Sequence, residues 1–183
     1  MAQLDEVFST YFEDAKYQLE QALKAETNSN QELTLCFSRA AILLGFSAFE
    51  AFVNSITDDF VEGGFPLSIH EKGILLDKEV RFNDGFEVSE KSKFSRLEDK
   101  LALVYICMAK KPLNRSSSMW SDFVTALKQR NELVHSRNKV SLTAKSAERT
   151  LRTILTFMGR VTQDVYHRPL PLASRDLLSR YLP

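Results

Sequence analysis

Apolar residues recur along this chain at steps of three and four, in blocks separated by short clusters of Gly, Pro, Asn and Ser. Leu4, Phe8, Tyr11, Ala15, Leu19 and Ala22 trace one such stripe and predict an amphipathic helix over 3–26. Thr27, Asn28, Ser29 and Asn30 supply turn chemistry and an N-cap for the next helix. The following segment, 31–59, differs in kind. Leu35, Phe37, Ala40, Ala41, Leu43, Leu44, Ala48, Phe49, Phe52, Val53 and Ile56 leave it apolar on almost every side. A helix without a polar face has to be surrounded by protein, so this one is the expected centre of the fold. Gly63, Gly64, Phe65 and Pro66 end it.

The pattern weakens over 67–92. The stretch from Ser68 to Val80 has room for one short helix, and Asn83-Asp84-Gly85 with the Ser, Glu and Lys that follow reads as an exposed loop, a candidate lid over 78–93. Phe94, Leu97, Leu101, Val104, Tyr105 and Met108 restore the helical period over 94–110, and Lys110-Lys111-Pro112 stops it with cations at the negative helix end. After a Ser-rich loop and cap at 115–118, Trp120, Phe123, Val124, Leu127 and Val134 predict a helix over 119–136. Ala147, Leu151, Ile154, Leu155, Met158, Val161 and Val165 predict another over 141–166. Pro169 and Pro171 break it, leaving room for a short helix at 174–181. No strand run and no internal repeat stand out. The expected fold is all-α: a bundle of four to five long helices in one domain spanning 1–183, with an irregular region at 63–93 and a C-terminal extension at 167–183.

Composition refines this picture. A chain of 183 residues, 44% hydrophobic, suits a single core. Lys+Arg and Asp+Glu are both 24, but residues 1–108 hold 10 basic against 19 acidic side chains, and 109–183 hold 14 against 5. The halves are therefore −9 and +9 by subtraction, which fits either a polyanion-binding face or two halves that neutralise each other on folding. Cys36 and Cys107 both sit in apolar stretches and read as buried thiols of a reduced compartment. Asp5, Glu6, Glu13 and Asp14 interrupt any secretory leader, and the most apolar run, 40–49, is bracketed by Arg39 and Glu50 and too short to cross a bilayer. A soluble cytoplasmic protein is expected, with no membrane partner.

Several chemistries lack their residues. There is no phosphate-binding P-loop, no GxGxxG, no HExxH and no CxxC, and His70, His135 and His167 lie far apart, so no metal or cofactor is expected. What remains is Arg130-Asn131-Glu132-Leu133-Val134-His135, near the end of the fifth predicted segment. Asn131 and His135 are four apart and share a helix face; Arg130 and His135 are separated by about 140° round an ideal helix. Such a trio suits phosphodiester cleavage without metal. An imidazole titrates near neutrality and can take or give the proton of a ribose 2′-hydroxyl, and a forked guanidinium can meet charge building on phosphate oxygens. Two protomers meeting across a two-fold axis would place two such His and two Arg in one groove. The hexapeptide by itself also fits a helix end with Arg130 in an ion pair and His135 as a favourable partner of the helix dipole.

The same hexapeptide resembles the Arg-x₄₋₆-His signature of the HEPN superfamily, whose preferred form places a polar residue directly after the Arg; here that residue is Asn131. Trp120, Phe123 and Leu127 leading into it are similar to the helix that carries the motif, and 38–56 resembles an earlier HEPN helix with an acid inside an apolar run. The likeness is nearest to the RiboL-PSP-like bacterial branch and covers about 30–165 in pattern. It implies a helical bundle that forms a homodimer with motif helices at the interface. It further implies a metal-independent endoribonuclease of toxin–antitoxin or other defence systems, with RNA as substrate and an antitoxin or defence protein as possible partner. By position Arg130 and His135 would be the catalytic pair, Asn131 the polar auxiliary, and Glu50 an orienting acid or simply a partly buried Glu paired with a cation. Where some members carry a Tyr two residues after the His, this chain has Arg137, which with Lys139 extends a basic rim suited either to RNA phosphates or to plain solvation. A non-catalytic HEPN-like module binding RNA, nucleotide or protein is the alternative.

Overall fold

The computed structural model describes residues 4–82, 84–135 and 140–170. Six helices and one two-stranded hairpin are present among them: α1 (Leu4–Thr27), α2 (Gln31–Glu62), α3 (Ile69–Leu75), β1 (Lys78–Phe82), β2 (Phe86–Ser92), α4 (Leu97–Cys107), α5 (Ser118–His135) and α6 (Ala144–Tyr166). The chain is a mostly helical bundle, as the spacing of apolar residues requires.

α2 is the centre. It packs against α1, α4, α5 and α6, and Ala41, Ile42, Phe46, Phe49, Val53 and Ile56 are buried along it. Asn30 caps its start, its Oδ1 accepting from the Leu33 N–H at 3.1 Å, and Gly63 and Gly64 close it, Gly64 in a left-handed conformation (φ 72°). Taken whole, its 32 residues are long and apolar enough to span a bilayer, which the 40–49 run alone is not. Half of its most apolar stretch is nevertheless buried inside the bundle, the situation of a core helix and compatible with a soluble protein. At Gly45 α2 and α6 meet so closely that a Cβ would lie 2.3 Å from Leu151 Cδ2, so a larger residue there would force the Leu151 side chain to shift.

α1 lies along α2 through Phe8, Phe12, Ala15, Leu19 and Ala22; Phe12 takes the inward position expected for Tyr11, which is exposed. α6 presents Ala147, Leu151, Ile154, Met158 and Val161 to the core behind a capping box of Thr143 and Ser146. α5 is seated by aromatic rings. Phe123 stacks on Phe157 of α6 at 4.4 Å and touches Phe49 of α2 at 4.9 Å, with Trp120 beside it. These contacts set the register of α5 against α2, and Arg130 follows Leu127 on the same face, opposite Glu50.

Three further expectations need correction. The irregular 63–93 region is built: α3 carries a capping box of Ser68 and Glu71, and β1 and β2 form an antiparallel hairpin with Val80 opposite Val88 and Phe82 opposite Phe86. Gly73 lets α3 lie on β1, since a Cβ there would meet Val80 Cγ2 at 2.5 Å. The helix expected over 94–110 is shorter and omits Phe94. The Ser95 N–H is bound by the Asp77 side chain at 2.8 Å and Arg96 is extended (φ −67°, ψ 139°), so the helix begins only at Leu97. The short helix expected at 174–181 lies outside the described residues. Cys107 is buried as expected, but Cys36 is exposed, because its position on α2 falls outside the stripe that packs on α1 and α6.

Candidate functional site

A cleft of about 620 Å³ opens between α2, α5 and the segment that joins β2 to α4. Glu50 and Asn54 reach it from α2, Leu127, Arg130 and Asn131 from α5, and Phe94 to Glu98 from the joining segment and the start of α4. Arg130 Nη2 donates to Glu50 Oε1 at 2.9 Å and Arg130 Nη1 donates to Asn131 Oδ1 at 3.1 Å. The side chains of Arg130 and Glu50 keep 27% and 42% of their exposure, so the pair is open to a ligand. A guanidinium carries more N–H donors than these contacts use, so Glu50 and Asn131 orient the fork without exhausting it.

The floor of the cleft holds a second pair. Lys100 extends from the buried side of α4, and its Nζ donates to Asp77 Oδ2 and, at 3.0 Å, to Asn54 Oδ1. Its side chain is only 6% exposed, against 23% for Asp77. Asp77 in turn accepts the Ser95 N–H on Oδ1 and the Lys93 N–H on its backbone oxygen, both at 2.8 Å. One turn beyond Asn54 lies Asp58, whose carboxyl is held above the usual carboxylate value by desolvation first and by the charge of Glu62 next, against the pull of Lys100.

No family model, no curated protein and no solved structure matches the chain. The site has to be read from its own geometry.

That geometry brings together Arg130, Asn131 and Glu50, three of the residues singled out in the sequence. It does not bring His135 to them. α5 stays helical to its last residue, His135, which is exposed and does not line the cleft. The imidazole sits at the negative end of the helix, where a cation is favoured. Arg137 and Lys139, the expected basic rim, lie outside the described residues. Ser117 is a cap, its Oγ accepting from the Trp120 N–H at 3.2 Å. His70 is exposed on α3 against the ring of Phe86, and His167 closes α6 in a left-handed conformation (φ 56°).

Asn54, Asp77 and Lys100 were missed. Their signal was present: Glu50, Asn54 and Asp58 are spaced by four on the most apolar helix, a polar stripe that needs a polar neighbour, and Lys100 falls in the inward phase set by Leu97, Leu101 and Val104. Phe94, in phase with the apolar residues of the 94–110 stretch, stands at the cleft mouth and not on the helix.

Proposed function

We propose that this protein is a metal-independent endoribonuclease of HEPN type, cytoplasmic, acting as a homodimer in a bacterial defence or toxin–antitoxin setting. The observation that carries the reading is the Arg130 guanidinium, fixed by Glu50 and Asn131 at the wall of an open cleft. A phosphodiester held there would have its non-bridging oxygens met by the fork as charge develops, which contributes about 100- to 1,000-fold in comparable sites. The ribose 2′-hydroxyl loses its proton as its oxygen attacks phosphorus. The P–O5′ bond breaks, and the leaving oxygen takes up a proton, giving 2′,3′-cyclic phosphate and 5′-hydroxyl ends. His135 is the proton carrier in this reading. Because it stands outside its own chain's cleft, two copies packed through α5 have to supply it to a shared groove.

A second reading has an observation in its favour. Arg130 already has an acidic partner and no imidazole beside it within one chain, which suits a binding module that holds RNA, nucleotide or a partner protein without cutting.

Cleavage of a mixed-sequence RNA in excess EDTA separates the two. The enzyme reading expects chelator-indifferent cutting that His135→Ala and Arg130→Ala each reduce by about 100-fold or more. It is abandoned if all three proteins cut equally or if none cuts.

A further inference from the structure

Phe94 is 89% exposed, although large apolar rings on a folded surface are normally covered at least in part. It does not sit on a loose loop. The N–H groups on both sides of it, of Lys93 and Ser95, are bound at 2.8 Å by the backbone and side chain of Asp77, and Asp77 is held by the nearly buried Lys100. A ring with few rotatable bonds on a backbone fixed at both flanks loses little freedom when something lies on it. Cations flank it in sequence, Lys93 before and Arg96 after. Arg96 is exposed, lines the same cleft as Arg130, and has no acidic partner among the described residues.

We infer that Phe94 is a stacking platform for one unpaired base of a single-stranded RNA whose neighbouring phosphates lie toward Arg96 and Arg130. This rests on the reading of the cleft as an RNA site, and it adds a strand-recognition element that no part of the Arg-Asn-x₃-His motif supplies. An aromatic face accepts any base, so the platform selects single strand over duplex, where bases are already stacked, and not one sequence over another. The counter-charge from Arg96 keeps the adjoining phosphate near the ring.

The experiment measures binding of a short fluorescent 2′-O-methyl RNA, which lacks the attacking hydroxyl, by wild type, Phe94→Ala and Phe94→Trp, with the same strand as a duplex for comparison. Phe94→Ala is expected to weaken single-strand binding roughly 5- to 150-fold and leave duplex binding unchanged. Phe94→Trp is expected to keep the affinity and to show quenching of the new, exposed indole on binding. Unchanged single-strand affinity in Phe94→Ala, or an equal loss for the duplex, overturns the platform while cleavage in EDTA still stands or falls separately. RNA binding that depends on Phe94 in a protein that never cuts keeps the platform and removes the nuclease. Wild type that holds no RNA overturns both.

Discussion

Replacing Asp77 tests whether the cleft floor is held together by the buried pair it forms with Lys100. Asp77→Asn keeps the size of the side chain and tolerates the left-handed backbone at this position (φ 53°), so strain does not enter. What it removes is the negative charge opposite an ammonium whose side chain is 6% exposed. Stripping one partner from a fully buried pair costs about 3–5 kcal/mol. Here the amide oxygen still accepts, Asn54 remains in place and Asp77 keeps 23% exposure, so about 2–3 kcal/mol is expected, or a fall in Tm of roughly 4–12 °C for a chain this size. Lys100→Met removes the buried charge itself. It leaves Asp77 with the Ser95 N–H and with water, and costs less than about 1 kcal/mol. The double variant then costs little more than Lys100→Met alone, because no charge is left stranded. Urea unfolding followed by circular dichroism measures all four proteins. Additive losses in the double variant, or a Lys100→Met loss as large as that of Asp77→Asn, would refute the reasoning, since either result means that the carboxylate does not neutralise the ammonium.

Three further outcomes follow from the geometry. Glu50→Gln keeps an acceptor for Arg130 and should lower RNA cleavage about tenfold or less, whereas Glu50→Leu leaves the fork held by Asn131 alone and should lower it about 100-fold; equal losses in initial-rate assays would remove Glu50 as a positioning residue. A maleimide should label exposed Cys36 quickly and Cys107 only in denaturant, because burial first, and then the Glu71 contact, push the Cys107 thiol upward; mass spectrometry showing equal labelling rates would contradict this. Asp164 is held below the usual carboxylate value: desolvation works to raise it, but hydrogen bonds from Lys111, Arg160 and Tyr105 outweigh that. Its contribution is complete above the unfolded value near 3.8 and is lost as pH falls through the lower folded one, so Asp164→Asn should flatten the acid limb of Tm against pH; a limb as steep as wild type would rule it out.

The long helices were legible because each buries one stripe and the stripe leaves a period in the sequence. Residues that the period places on a boundary were not. Tyr11 and Phe12 are adjacent aromatics, and only the packing on α2 decides that Phe12 goes inward. Phe94 is in phase with Leu97 and Leu101, but a side chain distant in sequence, Asp77, captures the Ser95 N–H and delays the helix. The hairpin was hidden for a different reason. Val80, Phe82, Phe86 and Val88 do alternate around a turn signal, yet neither strand has a fully buried residue, so the contrast between faces that betrays a strand is weak. Of the site, Arg130, Asn131 and Glu50 were found through motif and acid-in-apolar-helix reasoning. Asn54, Asp77 and Lys100 come together from α2, the turn before β1 and α4, and their meeting depends on the tertiary fold.

The charge pattern of the cleft now bears on how it would hold a polyanion. The sequence halves carry opposite charge, but the cleft closes its charges in pairs: Glu50 from the acidic half meets Arg130 from the basic half, and Asp77 meets Lys100 within the acidic half. With both pairs closed, the lining acids and bases nearly cancel, so long-range attraction supplies little affinity. An RNA strand would have to gain its hold from short-range contacts: the spare donors of Arg130, Arg96, which has no acidic partner among the described residues, and the open ring of Phe94. The same pairing is compatible with the phosphate role proposed for Arg130. Glu50 would repel a phosphate weakly across a solvated cleft, but its bond to Arg130 restricts that side chain's rotamers beforehand. In such a cleft, orientation contributes more than net charge, and the neutral composition of the chain is no argument against an RNA substrate.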